Sequence, residues 1–128
     1  MSEPNLRVLI SDDDPMIRDA LRDVLESEAD IAVVAVARDA EEAITLAERH
    51  SPAVAVLDVR MPGGGGARAA REIARCSPGT AILAFSAYAD RASIAGLAAA
   101  GVTEYLVKGV PNAAIVEAVR RLGRPAAG

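Results

Sequence analysis

Five polar residues carry the chemistry this sequence suggests: Asp12, Asp13, Asp58, Ser86 and Lys108. Each follows or ends a short apolar run. "LRVLI" leads into Asp12 and Asp13, "AVAVLD" ends on Asp58, "AILAFS" ends on Ser86, and "EYLV" leads into Lys108. Lys108 is the only lysine among 14 basic residues; the others are arginine. The two side chains differ, lysine being a compact point charge on a thin stem and arginine a wide planar fork. Three carboxylates brought together repel. Two at about 4 Å cost on the order of 4 kcal/mol at an effective dielectric near 20. Such a cluster needs a cation. Carboxylate oxygens with retained waters describe a Mg²⁺ site, with Mn²⁺ an alternative. A metal and an ammonium around one carboxylate also form a cradle for a phosphoryl group, to which Ser86 could donate a hydrogen bond. Asp58 would then be the nucleophile. Taken one at a time, each residue has a plainer reading. The "DDD" run could cap a helix and complement its dipole, Asp58 could form a turn, and Ser86 could be a cap.

The elements that would position these residues alternate along the chain. Strands are expected at 6–10, 31–37, 53–58, 81–86 and 104–107. Asp14 is a candidate N-cap and Pro15 suits a first helical turn. Ile17, Leu21, Val24 and Leu25 then fall on one helix face. A second helix runs from Ala40 through Ala47 to near His50, and a third spans 67–76 after the loop "MPGGGG". Asp90 would cap a fourth helix running to Ala100 and stopped by Gly101. Ile115, Val116, Val119 and Leu122 give a fifth helix face. Five β–α units predict an α/β fold, an open doubly wound parallel sheet of order 2-1-3-4-5 with helices on both faces. In that order strands 1 and 3 are neighbours at the switch point, so the carboxyl edge gathers Asp12, Asp13 and Asp58. Ser86 and Lys108 fall on the other side of Asp58, and the second strand is at the far edge.

Composition narrows the classes. A chain of 128 residues fits one domain, here expected over 1–122, with 123–128 a tail or linker stub. Apolar residues are 52% and aromatics 2%, so Ala, Val, Leu and Ile must build the core. The net charge of −4 gives no case for direct nucleic-acid binding. No apolar run is long enough to span a membrane, and "MSEPNLR" does not read as a signal peptide. The single Cys76 cannot form an internal disulfide, which fits a reducing, cytoplasmic setting, and it reads as a small residue in or at the end of a helix. The only histidine, His50, sits at an expected helix C-terminus, where it would complement the dipole. A phosphoryl donor would therefore be another molecule.

Together, "VLISDDDP", "VLDVRMPGGGG", "AFSA" and "YLVKG" resemble the receiver domain of bacterial two-component response regulators, in order and spacing, from residue 6 to about 122. The resemblance implies that Asp58 accepts a phosphoryl group from a sensor histidine kinase or phosphotransfer protein, the receiver catalysing its own phosphotransfer and dephosphorylation. It implies that Asp13 binds Mg²⁺ directly and Asp12 through water, with Asp58 and the backbone carbonyl of Arg60 completing the protein ligands. Ser86 and Tyr105 would be switch residues, and Lys108 would contact the carboxylate and phosphoryl oxygens. The face of the fourth helix, fifth strand and fifth helix would engage an output domain or partner, with a phosphorylation-dependent homodimer a further option. Arg60 and Tyr88, two residues after Asp58 and Ser86, are candidates for tuning hydrolysis of the aspartyl phosphate. The sequence departs from the pattern in places. Ser11 stands where a hydrophobic residue is usual, Ser86 replaces the commoner threonine, and Gly109 follows the lysine where proline is usual. That last departure puts the family's frequent cis bond in doubt. Two other readings stand beside this one. An aspartate-nucleophile phosphatase would carry an acid two residues after Asp58, where Arg60 is found. A degenerate receiver would lack a site residue, and none of the five is missing. "GVTEYLVKG" also looks like receivers joined to DNA-binding helix-turn-helix domains. The chain could equally be a free-standing receiver.

Overall fold

The computed structural model describes residues 6–87, 91–102 and 104–123. Ten elements alternate: β1 (Leu6–Ser11), α1 (Pro15–Glu26), β2 (Ile31–Ala37), α2 (Ala40–His50), β3 (Val54–Asp58), α3 (Gly65–Cys76), β4 (Ala81–Ser86), α4 (Arg91–Ala99), β5 (Glu104–Val107) and α5 (Asn112–Gly123). The strands form one parallel five-stranded sheet in the order β2-β1-β3-β4-β5. This is the expected architecture.

Strand alternation divides the core in two. On one face, Val8, Ile10, Val54, Val56, Leu83 and Phe85 pack against α1 and α5. On the other, Leu9, Ala55, Leu57 and Ala84 meet α2, α3 and α4. That second face is rich in alanine, including Ala40, Ala43, Ala47, Ala69 and Ala70. Small side chains let helices lie close to the sheet.

The helix ends follow local chemistry. Asp14 caps α1 by accepting from the Met16 amide, with Pro15 in the first turn. Asp39 caps α2 by accepting from the Glu42 amide at 2.8 Å, and Glu42 accepts from the Arg38 amide at 2.9 Å. Asp39 is thus a side-chain N-cap, and Glu42 ties down the residue just before it. His50 is the last residue of α2, where its carbonyl accepts from Arg7. Cys76 closes α3.

Several boundaries differ from expectation by one or two residues, among them the start of β3 at Val54. β1 extends to Ser11, because that residue still pairs with Ala37 and Leu57 on either side. α3 begins at Gly65, so part of the expected glycine loop is helical. α4 ends at Ala99, with Gly101 at φ 90° just beyond. Asp90 and Tyr88 lie outside the described residues.

Candidate functional site

The site residues sit where the strands end. Asp12 follows Ile10 by two positions, Asp58 follows Val56, and Lys108 follows Leu106. All three continue stripes that face α1 and α5. Ser86 follows Ala84 on the opposite stripe. Asp12 and Asp58 are 0% and 5% exposed and Ser86 2%, so the carboxylates and hydroxyl lie at the floor of the sheet edge. Asp13 is exposed at its rim.

Asp12, Asp13 and Asp58 each offer a carboxylate oxygen within 4.8 Å of the other two. Lys108 Nζ lies 2.8 Å from Asp12 Oδ2 and 3.5 Å from Asp58 Oδ2. The lysine meets Asp58 as expected and stands closer still to Asp12. Its stem crosses Phe85, whose ring centroid is 5.9 Å from Nζ. Asp12 Oδ2 is buried, and the Lys108 ammonium is the charge that meets it. The single ammonium offsets only part of the cost of holding three carboxylates together at a buried edge. The three carboxylates therefore fit a hard divalent ion bound through oxygen.

Burial, then the neighbouring Asp12 charge, pushes the Asp58 carboxyl up from its ordinary value of 3.8 to about 6, against the Arg60 amide and Lys108, which pull it down. The Arg60 amide reaches Asp58 Oδ1 at 3.2 Å. For Lys108, burial opposes the charge, but the two carboxylates outweigh it and hold the ammonium above lysine's ordinary value.

The loops are pinned by backbone contacts. The Asp12 amide donates to the Ala37 carbonyl at 3.1 Å. The Asp14 amide donates to Asp12 Oδ1 at 2.9 Å, and Arg18 Nη1 to the Asp12 carbonyl at 2.8 Å. Arg18 was not singled out from sequence; its place one turn after Asp14 was the available signal. The Lys108 amide donates to the Ser86 carbonyl at 2.6 Å, extending the β4–β5 ladder into the site. Gly66 packs directly under Asp58, where an added Cβ would stand 2.8 Å from the Asp58 carbonyl oxygen. Gly109 has φ 103°, which proline's ring cannot adopt, and no peptide bond among the described residues is cis. Tyr105 is half-buried against the alanine-rich core, and Arg60 is exposed beside the site. Tyr88 falls outside the described residues. A cleft of about 460 Å³ between α1 and α5, bordered by Val24, Asn112 and Arg120, lies apart from these carboxylates.

A five-stranded 2-1-3-4-5 sheet with an acid cluster and a lysine at its carboxyl edge defines a class of domain. Residues 8–120 match the model of the response regulator receiver domain, and the chain belongs to that family. It is 29% identical over 120 residues to the transcriptional regulatory protein DegU of Brevibacillus brevis, covering 94% of this chain and 51% of that protein. It is 39% identical over 104 residues to the transcriptional regulatory protein PdtaR of Mycobacterium tuberculosis, covering 80% of this chain and 49% of that one. The chain thus spans about half the length of these relatives. Among solved structures, it matches the signal receiver domain of the response regulator NarL from Mycobacterium tuberculosis with a TM-score of 0.90 and 31% identity, covering 94% of this chain and 98% of that one. A LuxR-family response regulator from Aurantimonas gives a TM-score of 0.86 and 32% identity, over 93% and 85% of the two chains.

Proposed function

We propose that this receiver domain is phosphorylated on Asp58 in a Mg²⁺-dependent reaction and relays that change to a partner. The observation that carries the proposal is the Asp12–Asp13–Asp58 cluster, three carboxylates set against the one ammonium of Lys108. Asp12, Asp13, Asp58 and the Arg60 carbonyl would hold the ion, Mn²⁺ serving in its place. Bound there, the ion would offset carboxylate repulsion and the charge on the transferring phosphoryl oxygens.

An Asp58 carboxylate oxygen attacks phosphorus in line. The new O–P bond forms as the bond to the donor breaks, and its electron pair leaves with the donor. With a phosphohistidine donor, the leaving group is an imidazole nitrogen, so a sensor histidine kinase or phosphotransfer protein is the fitting partner. Lys108, already beside Asp58, offsets the charge of the phosphoryl oxygens. Ser86 donates its hydroxyl to a phosphoryl oxygen. The receiver catalyses this transfer and the later hydrolysis without a separate substrate turnover. Arg60, exposed beside Asp58, and Tyr88 would slow hydrolysis by limiting water's approach.

Ser86 and Tyr105 would respond to the new group and alter the face formed by α4, β5 and α5. Val107 and Ile94, 39% and 42% exposed, give that face apolar anchors for an output domain or a second phosphorylated copy. The receiver itself would occupy residues 1–122, and a cytoplasmic location suits its donor; no helix among the described residues is long and apolar enough to cross a membrane.

The test is incubation with Mg²⁺ and acetyl phosphate, read as a mass increase of one phosphoryl group. We expect the increase in wild type and its loss in Asp58→Asn or when Mg²⁺ is chelated. An unmodified wild-type protein, or a modification that survives Asp58→Asn, overturns the reading. Decay of the modified protein in Arg60→Ala and Tyr88→Ala tests the tuning role, and unchanged decay rates refute it.

A further inference from the structure

Ser11 stands where the resemblance leads one to expect a hydrophobic residue, and the reaction above gives it no role. It is 1% exposed, and its hydroxyl donates to the Met61 thioether sulfur at 2.9 Å across the β1–β3 boundary. Met61 is itself 5% exposed and belongs to the alanine-rich core. It directly follows Arg60. A side-chain ligand can be adjusted by its own rotamer, but a backbone carbonyl is aimed only by the peptide plane that carries it. The Arg60 carbonyl shares its plane with the Met61 amide, so a restraint that carries through to the Met61 backbone also restrains the carbonyl's direction.

The following chain offers little help. Gly63, Gly64 and Gly65 have φ of 87°, 104° and 77°, and none has a side chain to anchor. The loop is held at intervals instead. The Ala40 amide donates to the Pro62 carbonyl at 3.0 Å and the Gly66 amide to the Val59 carbonyl at 2.9 Å. Arg68 Nη1 donates to the Gly63 carbonyl at 2.8 Å. The Pro62 and Gly63 contacts lie after Met61. From a neighbouring strand, the Ser11–Met61 bond restrains the side chain of the residue whose amide belongs to the Arg60–Met61 peptide plane.

We propose that Ser11 is a positioning residue which, through Met61, aims the Arg60 carbonyl at the metal. This rests on the reading of Asp12, Asp13 and Asp58 as a Mg²⁺ site. The hydroxyl, rather than the volume, is the active feature. Threonine and valine at position 11 have nearly the same shape, and only threonine keeps the donor.

The test titrates Mg²⁺ alone into wild type, Ser11→Thr and Ser11→Val by calorimetry, and records the Met61 methyl NMR signal of the metal-free proteins. Ser11→Thr should bind Mg²⁺ within about twofold of wild type, and Ser11→Val about threefold more weakly, the scale of one modest hydrogen bond. The Met61 signal should shift in Ser11→Val relative to Ser11→Thr. On a Met61→Leu background the Thr/Val difference should vanish, because the acceptor is gone. If the added methyl unfolds either isostere, Ser11→Ala against wild type carries the same comparison. Equal Mg²⁺ affinities in the paired variants overturn the inference and leave the site reading intact. A wild-type protein that takes up no Mg²⁺ overturns both.

Discussion

Asp58 is held in a costly state by its own burial. Its carboxyl titrates near 6 because it is buried beside Asp12. The folded state therefore binds a proton more tightly than the unfolded chain, whose carboxyl titrates near 3.8. For a group shifted upward in this way, the folded protein is favoured below about 4. That advantage is lost as pH rises through about 6, and above it the full cost of the charge remains. In the metal-free protein, Asp58→Asn should stabilise by about 1–2 kcal/mol at pH 7.5, after allowance for solvent screening, and by much less near pH 4.5. Denaturant unfolding in a chelator at both pH values checks this, and an equal gain at both refutes it. The residue identities were readable in the sequence, since types and positions alone marked Asp12, Asp13, Asp58, Ser86 and Lys108. Their partners were less so. Lys108 pairs with Asp12 at 2.8 Å, because the distance between strand ends depends on side-chain reach as well as strand order.

At the scale of elements, the boundary between β3 and α3 is the tightest fit near the site. An added Cβ at Gly66 would meet the Asp58 carbonyl oxygen at 2.8 Å and Val59 Cα at 3.0 Å, both backbone atoms that cannot swing aside. Gly66→Ala should cost about 1–3 kcal/mol, as overpacking usually does. Gly79→Ala is the control, because nothing stands within 4 Å of its added Cβ. Urea melts of the two variants separate the effects, and equal stabilities would refute the close packing. The strands and most helix spans were legible because apolar runs and caps are local signals. The Gly65 start of α3 was not, since a glycine run reads as loop from sequence. There the contact of α3 with the β3 backbone overrides propensity. The Ser11–Met61 bond was equally hidden, joining residues 50 positions apart.

For the whole molecule, the two cores differ in substance. The α1–α5 side is built from Leu, Ile, Val and Phe, and the α2–α4 side largely from alanine. The sheet order was legible because five β–α units leave few packings. The division of labour between the faces was not, because it depends on which strand stripe each helix covers. The acid cluster joins loops from β1 and β3, so an ion bound there ties together segments distant in sequence. Mg²⁺ at about 100 times its dissociation constant should stabilise the fold by roughly 2.7 kcal/mol, seen as a higher melting temperature. Asp13→Asn should shrink that rise, since the exposed Asp13 contributes to the cluster but not to the core. An undiminished rise would place the ion elsewhere.

The bond from the Lys108 amide to the Ser86 carbonyl makes the last rung of the sheet a part of the site. Ser86 and Lys108 continue opposite faces of the sheet, yet their main chains are joined at 2.6 Å. They behave as two arms of one lever whose fulcrum is the β4–β5 ladder. A displacement of Ser86 draws on the same backbone that sets the reach of the ammonium. Under the proposed function, motion at Asp58 would leave through β5 as a shift of the strand itself.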